Sequence, residues 1–200
     1  NIVAIAQGSS ELNISVDVTG ADETKAINAL HDGFFLSETT DLHVFMVGVG
    51  LIGGTLIEQI RKQAQYLKEK RSLEIKVVGL ANSKQMLINE NGIDLTNWKE
   101  ELLASDVKMG MDDYIETMEK LNLRNSIFID NTASDHVSKY YETILDASIS
   151  ISTPNKIATS SAYKQYTRLK DLAEERGVRF LYETNVGAGL PVISTLDGLI

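Results

Sequence analysis

The run Gly48-Val49-Gly50-Leu51-Ile52-Gly53 has the residue types and the spacing to hold a pyrophosphate. The first glycine permits a tight turn out of a strand, and the second leaves the backbone open to a phosphate. The third lets a helix lie close to the strand, and the helix N-terminus adds free amides and the positive end of its dipole. The same spacing also suits a tight glycine turn with no ligand. Context favours the dinucleotide reading, because the apolar stretch from His43 to Val49 precedes the run and a long amphipathic helix from about Leu51 to Lys70 follows it.

Other groups fall where such a site needs them. The next apolar strand, Ile75 to Ala81, runs into Asn82-Ser83-Lys84 without a carboxylate. An acidic residue there favours the free ribose hydroxyl of NAD. Its absence, with Lys84 beside Ser83, favours NADP and leaves NAD open. The alternative is an ordinary loop with a solvated lysine. Asn131-Thr132-Ala133-Ser134 and Ser152-Thr153-Pro154-Asn155-Lys156 each follow a strand, and ligands of open α/β sheets bind beyond strand carboxyl ends. Lys156 could contact a substrate or move a proton, or be a solvated loop lysine. Glu183-Thr184-Asn185-Val186-Gly187-Ala188-Gly189-Leu190-Pro191 pairs a carboxylate with a glycine-flanked loop that could offer oxygens to a hard cation, or serve only as a turn. His31, His43 and His136 lack metal-ligand spacing and suit packing or surface roles.

The elements that must position these groups alternate. After His43 to Val49 and its helix come Ile75 to Ala81 and helical stretches at Trp98 to Leu103 and Asp112 to Leu121. Then follow the strand Ser126 to Asp130, the helix Ser134 to Leu145 and the strand Ala147 to Ser152. A helix from Thr159 to Arg176 ends at Gly177, and Val178 to Tyr182 is a last strand before a further helix. This grammar predicts an α/β fold, a Rossmann-like doubly wound parallel sheet over residues 43–200. Only Leu87 to Asp94, broken by Asn89, Asn91 and Gly92, gives no period. Residues 1–36 differ: a first apolar strand, a turn at Gly8-Ser9-Ser10, the alternating half-buried strand Leu12 to Val18, and a helix from Asp22 to Phe35. Residues 37–42 read as a polar linker.

Composition narrows the partners. The 200 residues carry 19 Lys plus Arg against 28 Asp plus Glu, a net charge of −9, and 43% are hydrophobic. An acidic chain without a basic block is no nucleic-acid or anionic-membrane binder, and no apolar run is long enough to span a bilayer. Zero cysteine fits a reducing compartment, and the absence of a signal peptide fits the cytoplasm. A start at Asn1 suggests a piece of something longer.

Taken together, Val47 to Gly54, Gly79-Leu80-Ala81-Asn82-Ser83, Thr153-Pro154-Asn155-Lys156 and Asn185 to Pro191 resemble homoserine dehydrogenase, in the form fused behind an aspartokinase. Ile5-Ala6-Gln7-Gly8-Ser9-Ser10-Glu11 and the strand after it resemble the tail of that family's ACT regulatory region. The resemblance implies NAD(P)H-dependent interconversion of L-aspartate 4-semialdehyde and L-homoserine. It assigns cofactor contacts to Gly48, Val49, Gly50, Leu51, Ile52 and Gly53, to Asn82, Ser83 and Lys84, and to Thr132 and Ser134. Lys156 falls beside nicotinamide and substrate, in a catalytic role. Glu183, Val186, Ala188 and Leu190 match the family's sodium loop, mostly through backbone carbonyls. The resemblance further implies a homo-oligomeric parent, an amino-acid effector at the ACT region, and a family catalytic segment beyond residue 200, so that these residues alone supply the cofactor domain and turn over little. Two other readings stay open: a dinucleotide-sensing module without hydride transfer, and another dehydrogenase of similar outline.

Overall fold

The computed structural model describes residues 2–7, 13–23, 26–27, 29–30 and 39–199. At the amino end, β1 (Ile2–Gln7) pairs antiparallel with β2 (Ile14–Val18), Ile5 opposite Val16. The alternation predicted a half-buried face. Instead Ile2, Val3, Ile5 and Ile14 are each more than 60% exposed, and only Val18 of the two strands is half-buried. A 3-10 turn (Gly20–Asp22) follows, in which the Thr19 hydroxyl donates to the Asp22 carboxylate, and Glu23, Ala26, Ile27, Ala29 and Leu30 are helical. The expected turn at Gly8 to Ser10 and the helix end through Phe35 lie outside the described residues.

The rest is built on a six-stranded sheet of β3 (Thr40–Val47), β4 (Leu73–Ala81), β5 (Met86–Ile88), β6 (Ser126–Asp130), β7 (Ser150–Ser152) and β8 (Phe180–Leu181), in the order β5-β4-β3-β6-β7-β8. Neighbours are parallel except β5, which folds back antiparallel on β4. Helices cover both faces, so the central strand β3 must be apolar on both sides. Val44 and Met46 pack with Ile57 and Ile60 of α1 (Leu51–Arg71) and with Trp98 and Leu102 of α2 (Trp98–Ala104). Phe45 and Val47 belong to the opposite core, with Tyr114 and Met118 of α3 (Met111–Leu121). Each such side chain contributes about 1.5–3 kcal/mol by leaving water, and the two cores together fix the sheet between its helices.

Several boundaries moved for local reasons. The first strand of the sheet begins at Thr40 rather than His43, because Thr40 and Asp41 pair with Leu73 and Glu74, and Lys76 Nζ holds the Asp41 carboxylate at 2.6 Å. The expected helix from Ser134 to Leu145 is two, α4 (Asp135–Ser138) and α5 (Tyr141–Asp146), broken just before the fully buried Tyr141. The next splits into α6 (Ile157–Ser160) and α7 (Tyr163–Glu175): Ser161 is extended, and its hydroxyl donates to the Ala158 carbonyl at 2.8 Å. Strand β7 is shorter than expected because Ala147 still caps α5 and Ser148 is left-handed. Beyond β8 the chain closes with α8 (Val192–Asp197). No helix among the described residues is long and apolar enough to cross a membrane.

Candidate functional site

Strand β3 is followed by β4 on one side, whereas β6 lies on its other side, so a crevice opens at the carboxyl ends where the winding reverses. The glycine run occupies it. Gly48 leaves β3 with φ +87°, its amide donating to the Ala81 carbonyl at 2.9 Å. A Cβ on Gly48 would sit 2.8 Å from Thr132 Cγ2 and 2.9 Å from the Asn131 carbonyl carbon, and one on Gly53 only 2.1 Å from the Gly48 oxygen. Those two glycines therefore exist for backbone packing. Gly50 differs: a Cβ there meets nothing within 4 Å. Gly50 caps α1 without a side chain, and the helix has no acidic residue in its first turn. The amides and dipole at that end are thus aimed into open space, the arrangement that binds anions.

A cavity of about 690 Å³ stands over this turn. Val47 to Gly50 form its floor; Asn82, Ser83, Met109 and Met111 form one wall, and Asn131, Thr132, Ser134, His136 and Val137 the other. Asn82 shapes its own loop, its Oδ1 accepting from the amides of Lys84 and Gln85 at 2.7 and 2.8 Å. The Lys84 carbonyl accepts from the Met109 amide at 2.9 Å, which brings Met109 to the wall. On the opposite side the Asn131 Nδ2 donor is buried without a hydrogen-bond partner. The open face of Gly50 at a helix N-terminus without an acidic residue fits a ligand rich in acceptor oxygens, so the residues present fit a dinucleotide.

Behind the second wall lies a carboxylate that sequence reading names only as the end of a strand. Asp130, fully buried at the end of β6, accepts from the Thr132 amide on Oδ1 at 2.7 Å. Its Oδ2 accepts from the Tyr141 hydroxyl at 2.6 Å and from Asn155 Nδ2 at 3.0 Å. The Thr153 hydroxyl donates to the Asp130 carbonyl at 2.8 Å, and Asn155 Nδ2 also reaches the Ser134 carbonyl at 3.0 Å. Burial, then the charge of Asp130 and the hydrogen bond to it, push the Tyr141 phenol well above its ordinary range, so the ring stays a donor.

Of the expected cofactor residues, Gly48, Val49, Gly50, Asn82, Ser83, Thr132 and Ser134 line the cavity. Gly53 is buried beneath the turn, and Leu51 and Ile52 are exposed beside it. Lys84 is exposed outside the lining, and Lys156, also exposed and outside the lining, caps α6. Asn131, from the segment expected to line the site, does so, whereas Met109, Met111, His136 and Val137 are lining residues that sequence reading does not single out. In sequence His136 is an isolated histidine, and the two methionines look like core. Around the expected cation loop, Gly187 and Ala188 are left-handed. Both Glu183 carboxylate oxygens accept amides of α8, Ile193 and Ser194, at 2.9 Å, and the Leu190 carbonyl accepts from the Val192 amide. Two of the four expected oxygen donors are thus already engaged within the loop, which lends a sodium ion no support.

A doubly wound sheet with a glycine turn at its switch point, an open anion cradle and a crevice above it defines a dinucleotide-binding domain of the Rossmann type. The pattern of the family described as homoserine dehydrogenase, NAD binding domain, matches residues 48–183, and that of an ACT domain matches residues 1–34. The chain belongs to the homoserine dehydrogenase family through that NAD-binding domain. It is 44% identical over 202 residues to the chloroplastic bifunctional aspartokinase/homoserine dehydrogenase 1 of Arabidopsis thaliana, covering 100% of this chain and 22% of that protein. It is 39% identical over 199 residues to the bifunctional aspartokinase/homoserine dehydrogenase of Buchnera aphidicola, covering 100% and 24%. The chain thus spans about a quarter or less of the bifunctional relatives it matches. In fold it is similar to a hyperthermophilic archaeal homoserine dehydrogenase in complex with NADPH, with a TM-score of 0.63 and 23% identity over 78% of this chain and 48% of that one.

Proposed function

We propose that this chain is the part of a homoserine dehydrogenase that holds NADPH, in an enzyme that interconverts L-aspartate 4-semialdehyde and L-homoserine. The observation that carries the reading is the open face of Gly50 at the head of α1, which no acidic residue of the first turn blocks. Helix amides there bind the pyrophosphate, Thr132 and Ser134 hold the far wall, and Asn82 and Ser83 meet the adenosine ribose. With no carboxylate at the end of β4 and Lys84 adjacent, a ribose phosphate meets no like charge, which supports NADP over NAD. When bound, the nicotinamide supplies the hydride. Lys156, on the turn after β7, is the group we assign to face the substrate and hold or move a proton. No step runs through a sodium ion at Glu183, Val186, Ala188 and Leu190. In the whole enzyme we assign the ACT-matching segment to an amino-acid effector, the assembly to a homo-oligomer and the setting to the cytoplasm.

Calorimetric titration of the chain with NADPH and NADH tests the reading. NADPH is expected to bind more tightly than NADH, and Gly50→Asp to abolish both. Equal failure of both nucleotides on the unaltered chain sinks it.

A further inference from the structure

Asn155 is bonded through its side chain and backbone to five residues, three of them on other segments. Its Nδ2 hydrogens go to Asp130 Oδ2 and the Ser134 carbonyl, and its Oδ1 accepts from the Ile157 amide at 3.1 Å. Its amide donates to Thr153 Oγ1 at 2.9 Å, and its carbonyl accepts from Asn185 Nδ2 at 3.3 Å. Asn185 Nδ2 in turn donates to Thr159 Oγ1 of α6 at 2.7 Å. Asn155 is 3% exposed and Asp130 fully buried. A buried carboxylate whose partners are neutral donors is costly to keep, and it is stable only while every donor stays in place. A shift of the 131–134 wall therefore cannot stay local. It must either break a bond to Asp130 or move Asn155, and Asn155 carries the Lys156 turn and the loop after β8.

On the reading that the cavity holds NADPH, we infer that Asn155 is a positioning residue, tying the cofactor wall at Thr132 and Ser134 to the Lys156 turn and the loop that starts at Glu183. A nucleotide that fixes the wall then also fixes the two segments on the substrate side, through Asp130, Asn155 and Asn185. The linkage is by geometry alone and needs no direct contact between nucleotide and the 183–190 loop.

Amide hydrogen exchange on the chain, with and without saturating NADPH, tests this. In the unaltered chain NADPH is expected to slow exchange across residues 183–197 by about fivefold or more. Asn185→Ala cuts the last link without touching the cavity, so it should bind NADPH within about twofold of normal and lose the remote protection. Asn155→Ala should lose the protection and weaken NADPH by about tenfold, because it strips a donor from Asp130 and another from Ser134. If Asn155→Ala does not fold, Asn185→Ala decides alone, because it cuts the Asn155–Asn185 bond and leaves the Asp130 cluster whole. Normal NADPH binding without protection at 183–197, or full protection in Asn185→Ala, overturns the inference and leaves the nucleotide reading standing. No NADPH binding at all overturns both.

Discussion

Around Gly48 the crevice is held by backbone pressed on backbone, whereas around Asp130 it is held by hydrogen bonds to one buried charge. The first region offers almost no tolerance in volume: added Cβ atoms at Gly48 and Gly53 would lie under 3.0 Å from fixed backbone atoms. The second offers little tolerance in chemistry, since Asp130 depends on the Thr132 amide, Tyr141 and Asn155 all donating at once. Close packing fixes a shape that a ligand enters. A satisfied polar cluster fixes the relative position of several loops.

The largest expected effect breaks the first region outright. Gly53→Ala places a methyl 2.1 Å from the Gly48 oxygen, so α1 must move away from β3. We expect a loss of roughly 3 kcal/mol or more in stability, read from urea melts. Gly50→Asp sharpens the contrast within the same turn. A Cβ there meets nothing within 4 Å, and aspartate is a better helix cap than glycine. Stability should hold or rise by a few tenths of a kcal/mol, while NADPH affinity falls about a hundredfold or more because a carboxylate now faces the pyrophosphate. A protein destabilised by Gly50→Asp that still binds NADPH would show that the cradle has been misplaced.

The second region should respond to loss of a single hydroxyl. Tyr141→Phe keeps the ring, which packs edge-on to Phe180, and removes the 2.6 Å bond to Asp130. A cost of about 1.5–3 kcal/mol near neutral pH is expected for a hydrogen bond to a charged group. The raised phenol pKa adds a pH signature. The native state keeps this proton above pH about 10, where the unfolded chain gives it up, so the unfolded state binds fewer protons and stability falls as pH rises. The contribution is fully present below pH about 10 and declines by about 1.4 kcal/mol per pH unit above it. Urea melts at alkaline pH should therefore show a shallower decline in Tyr141→Phe than in the parent chain. Parallel slopes would mean that the phenol is not held by burial and Asp130.

The two regions also differ in how much of them could be read from the sequence. Gly48, Gly50 and Gly53 were legible because each answers a local demand, and the buried strand and long helix flanking them carry clear patterns. The alternation of strands and helices likewise gave the winding of the sheet. Asp130 was read only as the end of a strand, because its partners Tyr141 and Asn155 lie on other elements, and the Tyr141 ring reaches it only where the expected long helix breaks. Burial of one face of β2, the partner of β1, is read from its alternation, which records a preference for a partner surface without naming it. Among the described residues, those strands have only each other. The walls at Met109, Met111 and Val137 escaped notice because an apolar side chain facing a ligand looks the same in sequence as one facing the core.

The smallest effect concerns Lys84, at the rim where neither kind of constraint applies. Its side chain is exposed, while its backbone is held by Asn82 and by the bond to the Met109 amide. Lys84→Ala should therefore leave the loop, and NADH binding, unchanged. For NADPH the lysine would meet a ribose phosphate in solvent, where an exposed ion pair contributes about 0.2–1 kcal/mol. That predicts a weakening of roughly threefold at physiological salt, growing as ionic strength is lowered because less of the attraction is screened. Titrations of both nucleotides at two salt concentrations decide it. Equal loss for NADH and NADPH would mean that Lys84 acts by holding the loop, and a loss that ignores salt would mean that it does not meet the phosphate as a charge.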